Sequence, residues 1–600
     1  MRGASILVGF IFTLISLSAA AQVTELGPLF PTATSAKATA ERAEISDLYL
    51  SSAKLTASEI HDLGPLTSAE RQQLTEKDPE ARGQRALKVG IERGVPQRPG
   101  FDTLEWSSRQ GRSRTIGGGL LETAGDIMIW TTAVRSPGAN GIRLLIDGNL
   151  PSSARAYLYA ATGEVHGPYT SVQLENGAFW SNTVYADEAF LEVQILDKAD
   201  AARTRLSVAS MAHLETPAFS GELRASGTEC FIDASCVSQS EFSDVGVAGN
   251  AMAQLVFMKN GSAFVCSGGL LNNTRSDGTP YFLTANHCFN SQAVASSLEA
   301  TWNYKTINCA DPNIRPNRGL FPRSLGSTLM ATGASTDFTL VRLSQPPPST
   351  ALFLGWNANM DVAGSSGTKL YRVHHPDGVT QYYARHAVDT TFGGCTSTRP
   401  RGNFIYSRDE VSGTSGGSSG SPIMLQNLQV VGQLLGSCGS NTDDDCDRSN
   451  RTLDGAFRAS FSSMQQFLAP STTAPCIANS TTACMLGGRF QVTVRYRGTF
   501  DNGAANQNAL VKTVTGFADP NFETAFFFFN SPNNIEMLVK LLDQGNTDTS
   551  GRPTIAVLFG SATPLRIELQ ITDTQTGAMK NYLSEFGQSR GGADFTAFVK

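Results

Sequence analysis

The segment Gly417–Pro422, with the sequence GSSGSP, has the residue types that present a nucleophilic serine for acyl transfer. Two glycines flank Ser419 and leave its hydroxyl uncrowded, while the backbone N–H groups of Gly417 and Ser419 can converge on an oxygen that becomes negative. These two residues are the candidate oxyanion hole. Gly/Ser-rich runs are also common flexible loops, so the interpretation requires a general base elsewhere in the chain.

His287 is the candidate base. It lies in the segment Leu283–Cys288, LTANHC, which continues the apolar, strand-like residues Tyr281–Leu283. A base must be held rigidly within hydrogen-bond reach of the serine hydroxyl, and a strand that ends in a disulfide-anchored turn does this. We therefore expect His287 to activate Ser419.

Asp337 is the candidate third member. It lies between the histidine and the serine in the chain and precedes the apolar run Phe338–Leu343, so we expect it to be buried beneath the imidazole. There it would accept the far ring N–H, fix the tautomer and stabilise the imidazolium. Alternatives in the same interval are Asp361, Asp377 and Asp389, but each is set in a Gly/Pro-rich or polar context.

Chain order excludes other hydrolases. The G-x-S-x-G pattern at Gly413–Gly417 matches the elbow of α/β-hydrolases, but that fold needs a histidine after the serine, and none follows His386. A zinc peptidase is also excluded, because H-E-x-x-H is missing and the adjacent His374 and His375 lack the i, i+4 spacing. We expect neither metal nor cofactor, and a structural or cleft-side role for this histidine pair.

With these motifs in place, the stretch Cys230–Phe467 resembles the lysyl endopeptidase branch of the chymotrypsin-like serine peptidases. The resemblance extends to Trp302–Tyr304, Val373–Pro376 and Val431–Leu434. It implies a mainly β protein whose central domain is a double β-barrel, with the three candidate residues in the cleft between the barrels. It also implies an enzyme, a serine endopeptidase that acts on protein or peptide substrates through an acyl-enzyme intermediate.

All ten cysteines lie at or beyond Cys230, an even number without any C-x-x-C pair, which favours disulfides over a metal site. The resemblance implies the pairs Cys266–Cys288 and Cys236–Cys309, and it pairs Cys230 with either Cys438 or Cys446, leaving the other for Cys395. Cys476 and Cys484 are close enough in sequence to form a local loop.

The resemblance further implies a substrate pocket lined by Thr414, Leu435, Gly436, Thr452 and Asp454. Lysine-cleaving members carry an acid in the strand region after the serine, and alignment on Gly455 puts Thr452 at that place. Asp454 lies on the same strand face but ~7 Å along. Leu435 replaces a histidine of the lysine-specific enzyme. We expect cleavage after a basic residue, with a small or apolar residue as the alternative.

Met1–Ala21 has a basic start, an apolar core and a small-residue end, which indicates a secretory signal peptide. No later run reaches the ~20 apolar residues of a membrane span, so we expect a secreted, extracellular protein. A net charge of −6 without a Lys/Arg cluster argues against a nucleic-acid partner. We expect the protein to be a monomer.

Composition divides the rest of the chain into five regions. We predict a loosely structured or helical start at 22–100, a β-sandwich prodomain at 101–224, the protease domain at 225–469, a linker with a local disulfide at 470–485 and a C-terminal β-sandwich at 486–600. The last region resembles accessory modules of secreted bacterial proteases. Prodomain aromatics such as Trp130 and Tyr169 are expected in the core rather than on a ligand-binding face.

Residues 22–224 form the expected prosegment of a zymogen, with the cut in Gly221–Gly227. In trypsin an aspartate immediately before the nucleophile pairs with the newly formed N-terminus, but Ser418 occupies that place here. The ion-pair switch is therefore absent, and the prosegment is expected to cover the cleft as an intramolecular inhibitor or to assist folding. The alternative function is a non-catalytic secreted adhesion or carbohydrate-binding protein on a protease-like scaffold.

Overall fold

The structure is a computed structural model that describes residues 24–30, 43–76, 86–102, 104, 113–175, 177–215, 230–309, 319, 321–442, 444–470, 476–497, 507–512, 522–543, 545, 547, 553–575, 578–584, 587 and 589–599. The predicted signal peptide Met1–Ala21 and the predicted cut in Gly221–Gly227 lie outside these residues. Across the described ranges, no helix combines the length and apolar character needed to span a bilayer.

The described residues before Cys230 build two β-sheets that enclose one hydrophobic core. Their elements are β1 (Glu25–Leu26), β2 (Ile60–Asp62), α1 (Ser68–Thr75), β3 (Leu87–Gly94), β4 (Gly100–Phe101), β5 (Arg114–Ile116), β6 (Gly119–Ala124), β7 (Ile127–Arg135), β8 (Gly141–Asn149), β9 (Ala154–Tyr159), β10 (Val165–Tyr169), α2 (Ser171–Leu174), β11 (Phe179–Trp180), β12 (Glu188–Ile195) and β13 (Arg205–Leu214). One sheet has the order β10-β9-β12-β7-β6-β5, and the other contains β11-β8-β13-β3. Trp130 and Tyr169 are buried between them.

The segment predicted to be loosely structured or helical supplies strands to this region. It also contains the α-helix α1, which Thr67 caps by accepting from the Glu70 amide. Leu87–Gly94 is instead a strand that pairs on both of its edges. Its alternation of Leu87, Val89 and Ile91 with polar residues or glycine is the strand signal, and the polar composition around it conceals that signal.

The following region contains two β-barrels. Its elements are β14 (Ile232–Asp233), α3 (Val245–Gly249), β15 (Met252–Lys259), β16 (Ser262–Leu271), β17 (Tyr281–Ala285), α4 (Gln292–Ser296), β18 (Glu299–Trp302), β19 (Arg323–Leu325), β20 (Ser327–Gly333), β21 (Phe338–Leu343), β22 (Gly355–Asn357), β23 (Lys369–His374), β24 (Tyr382–Val388), β25 (Phe404–Val411), β26 (Pro422–Met424), β27 (Gln429–Cys438), β28 (Arg451–Ala456) and α5 (Phe457–Leu468).

In the first barrel, the strands follow the order β18-β15-β16-β17-β21-β20. β19 and β20 are separated only by Gly326, whose φ of +77° turns the chain, and β19 pairs with β18. The second barrel is the ring β23-β24-β25-β28-β27-β26, which is closed by the pairing of β27 with β28. The expected mainly β fold with a double barrel is confirmed.

The two barrels pack through a shared apolar cluster. Met252 and Leu283 from the first barrel meet Val373 and Val430 from the second, and α5 adds Phe461 to the same cluster. β15 is buried along nearly its whole length, because one of its faces fills the barrel and the other is covered. A strand that is buried on both faces does not show the alternation of buried and exposed residues that is typical of a half-exposed strand.

β3 joins the N-terminal region to the first barrel in one continuous sheet. One edge of β3 pairs with β13, and its other edge pairs with the first half of β16, where Ile91 faces Ser262 and Leu87 faces Val265. β1 also crosses over, because its two residues pair with β22. The N-terminal region therefore shares backbone hydrogen bonds with the sheets of both barrels.

The C-terminal residues form two five-stranded sheets that share one core. The strands are β29 (Thr482–Met485), β30 (Phe490–Arg497), β31 (Gln507–Asn508), β32 (Leu510–Lys512), β33 (Phe522–Phe528), β34 (Met537–Leu542), β35 (Thr554–Ser561), β36 (Arg566–Asp573), β37 (Met579–Ser584) and β38 (Gly591–Val599). Phe527 is buried and Phe526 is half-buried, as expected for neighbouring residues on opposite strand faces.

Candidate active site

The turn after β17 carries His287 and is fixed from two directions. The disulfide between Cys266 and Cys288 ties it to β16. Asp337 holds it from the other side, since its backbone oxygen accepts from the Asn286 N–H at 2.9 Å. His287 is therefore presented by a turn with little freedom, as the sequence led us to expect for a general base.

Asp337 and His287 form a two-point contact. Asp337 Oδ1 accepts the backbone N–H of His287 at 2.9 Å, and Oδ2 lies 2.8 Å from His287 Nδ1. The imidazole therefore has its N–H on Nδ1, donated to the carboxylate, and its Nε2 is the basic atom. The two side chains are nearly buried, at 9% and 4% exposure, which makes the contact less screened than one at the surface.

Asp337 is itself held in place by the second barrel. Its φ of +56° is unusual for a residue other than glycine. The preceding Thr336 accepts a hydrogen bond from Gln433 Nε2 at its backbone oxygen, 2.7 Å away, and another from the Ser460 hydroxyl at its Oγ1. These bonds from β27 and α5 maintain the strained backbone. The alternatives Asp361, Asp377 and Asp389 make no contact with His287 in the described residues.

Ser419 comes from the second barrel and docks against the first. Its backbone oxygen accepts the Ser267 N–H at 2.8 Å, which attaches the serine to β16. Gly420, with φ +80°, is pressed so closely on β17 that a Cβ would collide with Thr284 Oγ1 and lie 2.8 Å from the Ala285 nitrogen. Only glycine fits this contact, which brings the serine loop to the strand that carries His287.

The backbone around Ser419 leaves two N–H groups free. Gly417 has φ +87°, and neither its N–H nor that of Ser419 donates to any group in the described part of the chain. The Ser419 hydroxyl also makes no hydrogen bond within the described residues, although the residue is only 1% exposed. The loop therefore presents one unengaged hydroxyl and two unengaged donors, the groups that acyl transfer requires.

Ser418 points away from solvent into the second barrel. Its hydroxyl lies 2.7 Å from His374 Nδ1 and accepts the Ser415 N–H at 3.2 Å. Burial, with the added field of Arg372, lowers the pKa of His374 well below its ordinary value, so this histidine is neutral. A neutral serine–histidine contact thus holds the loop where trypsin uses an ion pair. The neighbouring His375 bonds the Val379 carbonyl and stacks on Tyr304, a structural role.

A chain of polar side chains fills the second barrel behind the loop. Arg372 is completely buried and donates from Nη1 to the Ser421 backbone oxygen at 2.8 Å and from Nη2 to Asp454. Its Nε donates to His386 Nε2 at 3.5 Å, and His386 Nδ1 lies 2.7 Å from Asp409 Oδ1. The roles of Arg372, His386 and Asp409 were missed in the sequence, where the only signal for them was a charged or imidazole side chain inside an otherwise apolar strand.

The predicted pocket residues are separated by this network. Asp454 is completely buried and paired with Arg372: a strand residue that faces the barrel interior needs a cation, and Arg372 supplies it. Thr452, on the same face, donates to Asp409 at 2.6 Å. Leu435 packs in an apolar cluster with Leu453. Thr414 is buried before the loop and Gly436 lies on β27.

The cysteines form five pairs. They are Cys230–Cys446, Cys236–Cys309, Cys266–Cys288, Cys395–Cys438 and Cys476–Cys484. Of the two partners that the sequence left open for Cys230, the structure has Cys446.

Comparisons with known proteins agree with this architecture. Residues 224–450 match the family model described as "Lysyl endopeptidase, C-terminal domain". A lysyl endopeptidase of Pseudomonas aeruginosa is 27% identical over 359 residues, which covers 56% of this chain and 74% of the relative. The middle of the chain is therefore a chymotrypsin-like serine protease domain.

Solved protease structures are also similar at a low level. The active form of the Rv3671c protease from M. tuberculosis is 15% identical with a TM-score of 0.26, covering 38% of this chain and 84% of that structure. An HtrA-type protease with a tripeptide is 14% identical with a TM-score of 0.28, covering 41% and 69%. Scores this low carry no argument about the site.

Proposed function

We propose that this chain is a secreted serine endopeptidase that cleaves proteins through an acyl-enzyme formed on Ser419. The observation that carries the proposal is the double contact of Asp337 with the Nδ1 and backbone N–H of His287. This contact orients the imidazole as a general base requires. The match of residues 224–450 to the lysyl endopeptidase family supports the same function.

In this mechanism His287 Nε2 accepts the proton of the Ser419 hydroxyl as the oxygen attacks the scissile carbonyl. Asp337 keeps the other ring proton on Nδ1 and stabilises the imidazolium that forms. The same imidazolium then protonates the leaving amine. Water attacks the acyl-enzyme in the second half of the reaction, with His287 again as the base.

The unengaged N–H groups of Gly417 and Ser419 suit the carbonyl oxygen, which becomes negative in the tetrahedral intermediate. Donors of this kind are already oriented by the loop, so little reorganisation is needed when charge develops. The resting Ser419 hydroxyl makes no hydrogen bond in the described residues, and we expect substrate binding to bring it to His287 Nε2.

We assign the prosegment a role in folding rather than in covering the cleft. Its described contacts with the protease domain include the first half of β16, β22, the buried Glu299, and ion pairs and hydrogen bonds of Arg143 and Arg323, and none of the described contacts involves the triad. β3 pairs with Ser262–Val265 of β16, on the edge where β17 pairs only with Gly269–Leu271. A template of this kind helps a barrel whose strand pairings are far apart in sequence.

The direct test is covalent labelling with a fluorophosphonate probe, followed by peptide mapping. Processed protein is expected to be modified at Ser419 and only there, and Ser419→Ala is expected to abolish labelling. Ser421→Ala is the matched control, since this nearby serine bonds the Ser418 carbonyl and has no role in attack. Labelling that persists in Ser419→Ala would exclude the proposed nucleophile.

Kinetics of the single and double variants test whether the residues act together. Ser419→Ala and His287→Ala are each expected to lower kcat by ~10⁴-fold or more, and the double variant to lose about as much as either alone. Additive losses would contradict a shared mechanism. If the processed protein neither labels nor cleaves any protein substrate, the non-catalytic binding alternative is favoured instead.

A further inference from the structure

Asp409 on β25 places a carboxylate beside the segment that leads to the nucleophile. A Cβ built on Gly413 would lie 3.5 Å from Asp409 Oδ2, so the carboxylate occupies space next to the start of the Ser419 loop. On its other side, Asp409 Oδ1 accepts the Thr452 hydroxyl at 2.6 Å. Asp409 therefore lies between the nucleophile loop and β28.

The hydrogen bonds around Asp409 leave its negative charge intact. Arg372 donates from Nε to His386 Nε2 at 3.5 Å, and His386 Nδ1 lies 2.7 Å from Asp409 Oδ1. Burial raises the pKa of Asp409, but the bond from His386 and the field of Arg372 outweigh it, and the pKa is lowered overall. Asp409 is accordingly a carboxylate at neutral pH.

One oxygen of this carboxylate is still available. Both hydrogen bonds, from Thr452 and His386, go to Oδ1, and Oδ2 accepts none in the part of the chain that the structure describes. The side chain is 19% exposed, whereas Asp454 is completely buried and bound to Arg372. Of these two carboxylates, only that of Asp409 is partly exposed and lies next to the start of the Ser419 loop.

We propose that Asp409 is the residue that determines primary specificity, by accepting the Lys or Arg side chain that precedes the cleaved bond. This inference rests on the proposed function. A carbonyl held by the N–H groups of Gly417 and Ser419 directs the adjoining side chain along the Gly413–Ser419 segment, toward Oδ2 of Asp409. Lysine-cleaving members of the family carry an acidic residue at the position of Thr452. In this chain that acidic residue is Asp409, on the neighbouring strand β25, and Thr452 orients it.

The test is the ratio of kcat/KM for two peptides that differ only in Lys or Gln before the cleaved bond. This ratio does not depend on the fraction of folded enzyme. Wild type is expected to prefer Lys, and Asp409→Asn to reduce that preference by ~30-fold or more, because a desolvated cation loses its partner. Asp454→Asn tests the buried alternative, and Asp447→Asn, at a half-buried loop residue, is the matched control, which is expected to keep the preference within about threefold.

Fluorophosphonate labelling separates this inference from the proposed function. The probe carries no basic side chain, so an Asp409→Asn enzyme that labels at the wild-type rate is folded and has an intact nucleophile. Normal labelling with an unchanged Lys preference would overturn the assignment of Asp409. A wild-type enzyme that labels at Ser419 but prefers Gln would overturn it as well, and loss of the preference in Asp454→Asn alone would assign the role to that residue.

Discussion

Glu299 is expected to make the junction between prosegment and protease domain sensitive to acid. This carboxylate is completely buried on β18 and accepts hydrogen bonds from prosegment residues, from Asn182 Nδ2 at 2.8 Å and from the Thr183 hydroxyl at 2.6 Å. Arg323 also donates to it at 3.2 Å. Burial raises the pKa of Glu299, but the fields of Arg323 and Arg143 outweigh it and hold the pKa at about 2.

The size of the effect follows from that pKa. Ionised Glu299 stabilises the folded chain by ~3 kcal/mol, the free-energy equivalent of lowering a carboxyl from its ordinary value of 4.5 to about 2. Because the pKa is lowered on folding, the contribution is complete above pH 4.5 and is lost as the pH falls toward 2. At pH 3 about 2 kcal/mol of it has gone.

The assay is urea unfolding of the uncleaved chain, carried in a Ser419→Ala background to prevent self-digestion and followed by tryptophan fluorescence. Glu299→Gln is expected to be less stable than its parent by ~3 kcal/mol at pH 7 but by only ~1 kcal/mol at pH 3. Glu122→Gln, which removes an exposed ion pair with Lys54, is the control, expected to change stability by less than ~1 kcal/mol at either pH. A Glu299→Gln difference that stays the same at both pH values would refute the reasoning.

Three further predictions concern the protease domain. Asp337→Asn is expected to lower kcat by ~10⁴-fold in steady-state cleavage, because the amide cannot accept both hydrogen bonds from His287. Asp389→Asn is the control: this carboxylate is bound to Arg451 and Thr391, and its kcat is expected to stay within about threefold of wild type. Arg372→Met is expected to lower the free energy of unfolding by ~3 to 5 kcal/mol in urea, because it leaves Asp454 buried without a cation. The double variant Arg372→Met/Asp454→Leu is expected to recover most of that stability. Equal losses in the single and double variants would argue against a buried ion pair. Gly420→Ala is expected to slow fluorophosphonate labelling at least tenfold by pushing the serine loop off β17, and a wild-type labelling rate would contradict that contact.

The residues with a local sequence signature were predicted with the most detail. Asp337 precedes the apolar strand β21, and His287 follows the apolar strand β17, as their order along the chain indicated. Both predictions depend on a short segment in which the functional side chain lies next to the end of an apolar strand. The double barrel came from the family resemblance, which those segments supported.

The specificity pocket required contacts between strands that lie far apart in the chain. The family alignment on Gly455 pointed to Thr452, with Asp454 two residues along the same strand, but the sequence contained no signal that Arg372 would neutralise Asp454. Asp409 lies on a different strand from Thr452, and only the pairing of β25 with β28 brings the two side chains together. The register of two strands that are far apart in the chain depends on the tertiary fold, and a local sequence pattern does not predict it.

The pairing of β3 with β16 also determines what remains after maturation. Cleavage between Leu214 and Cys230 would leave β3 in its place, because β3 is held by its ladder and not by the connecting peptide. If residues 22–224 are removed as the proposed prosegment, Ser262–Val265 become an open strand edge on the remaining protease domain, where an extended chain from another molecule can pair. A separately added prosegment should therefore bind and refold the mature domain, at a rate that rises with its concentration.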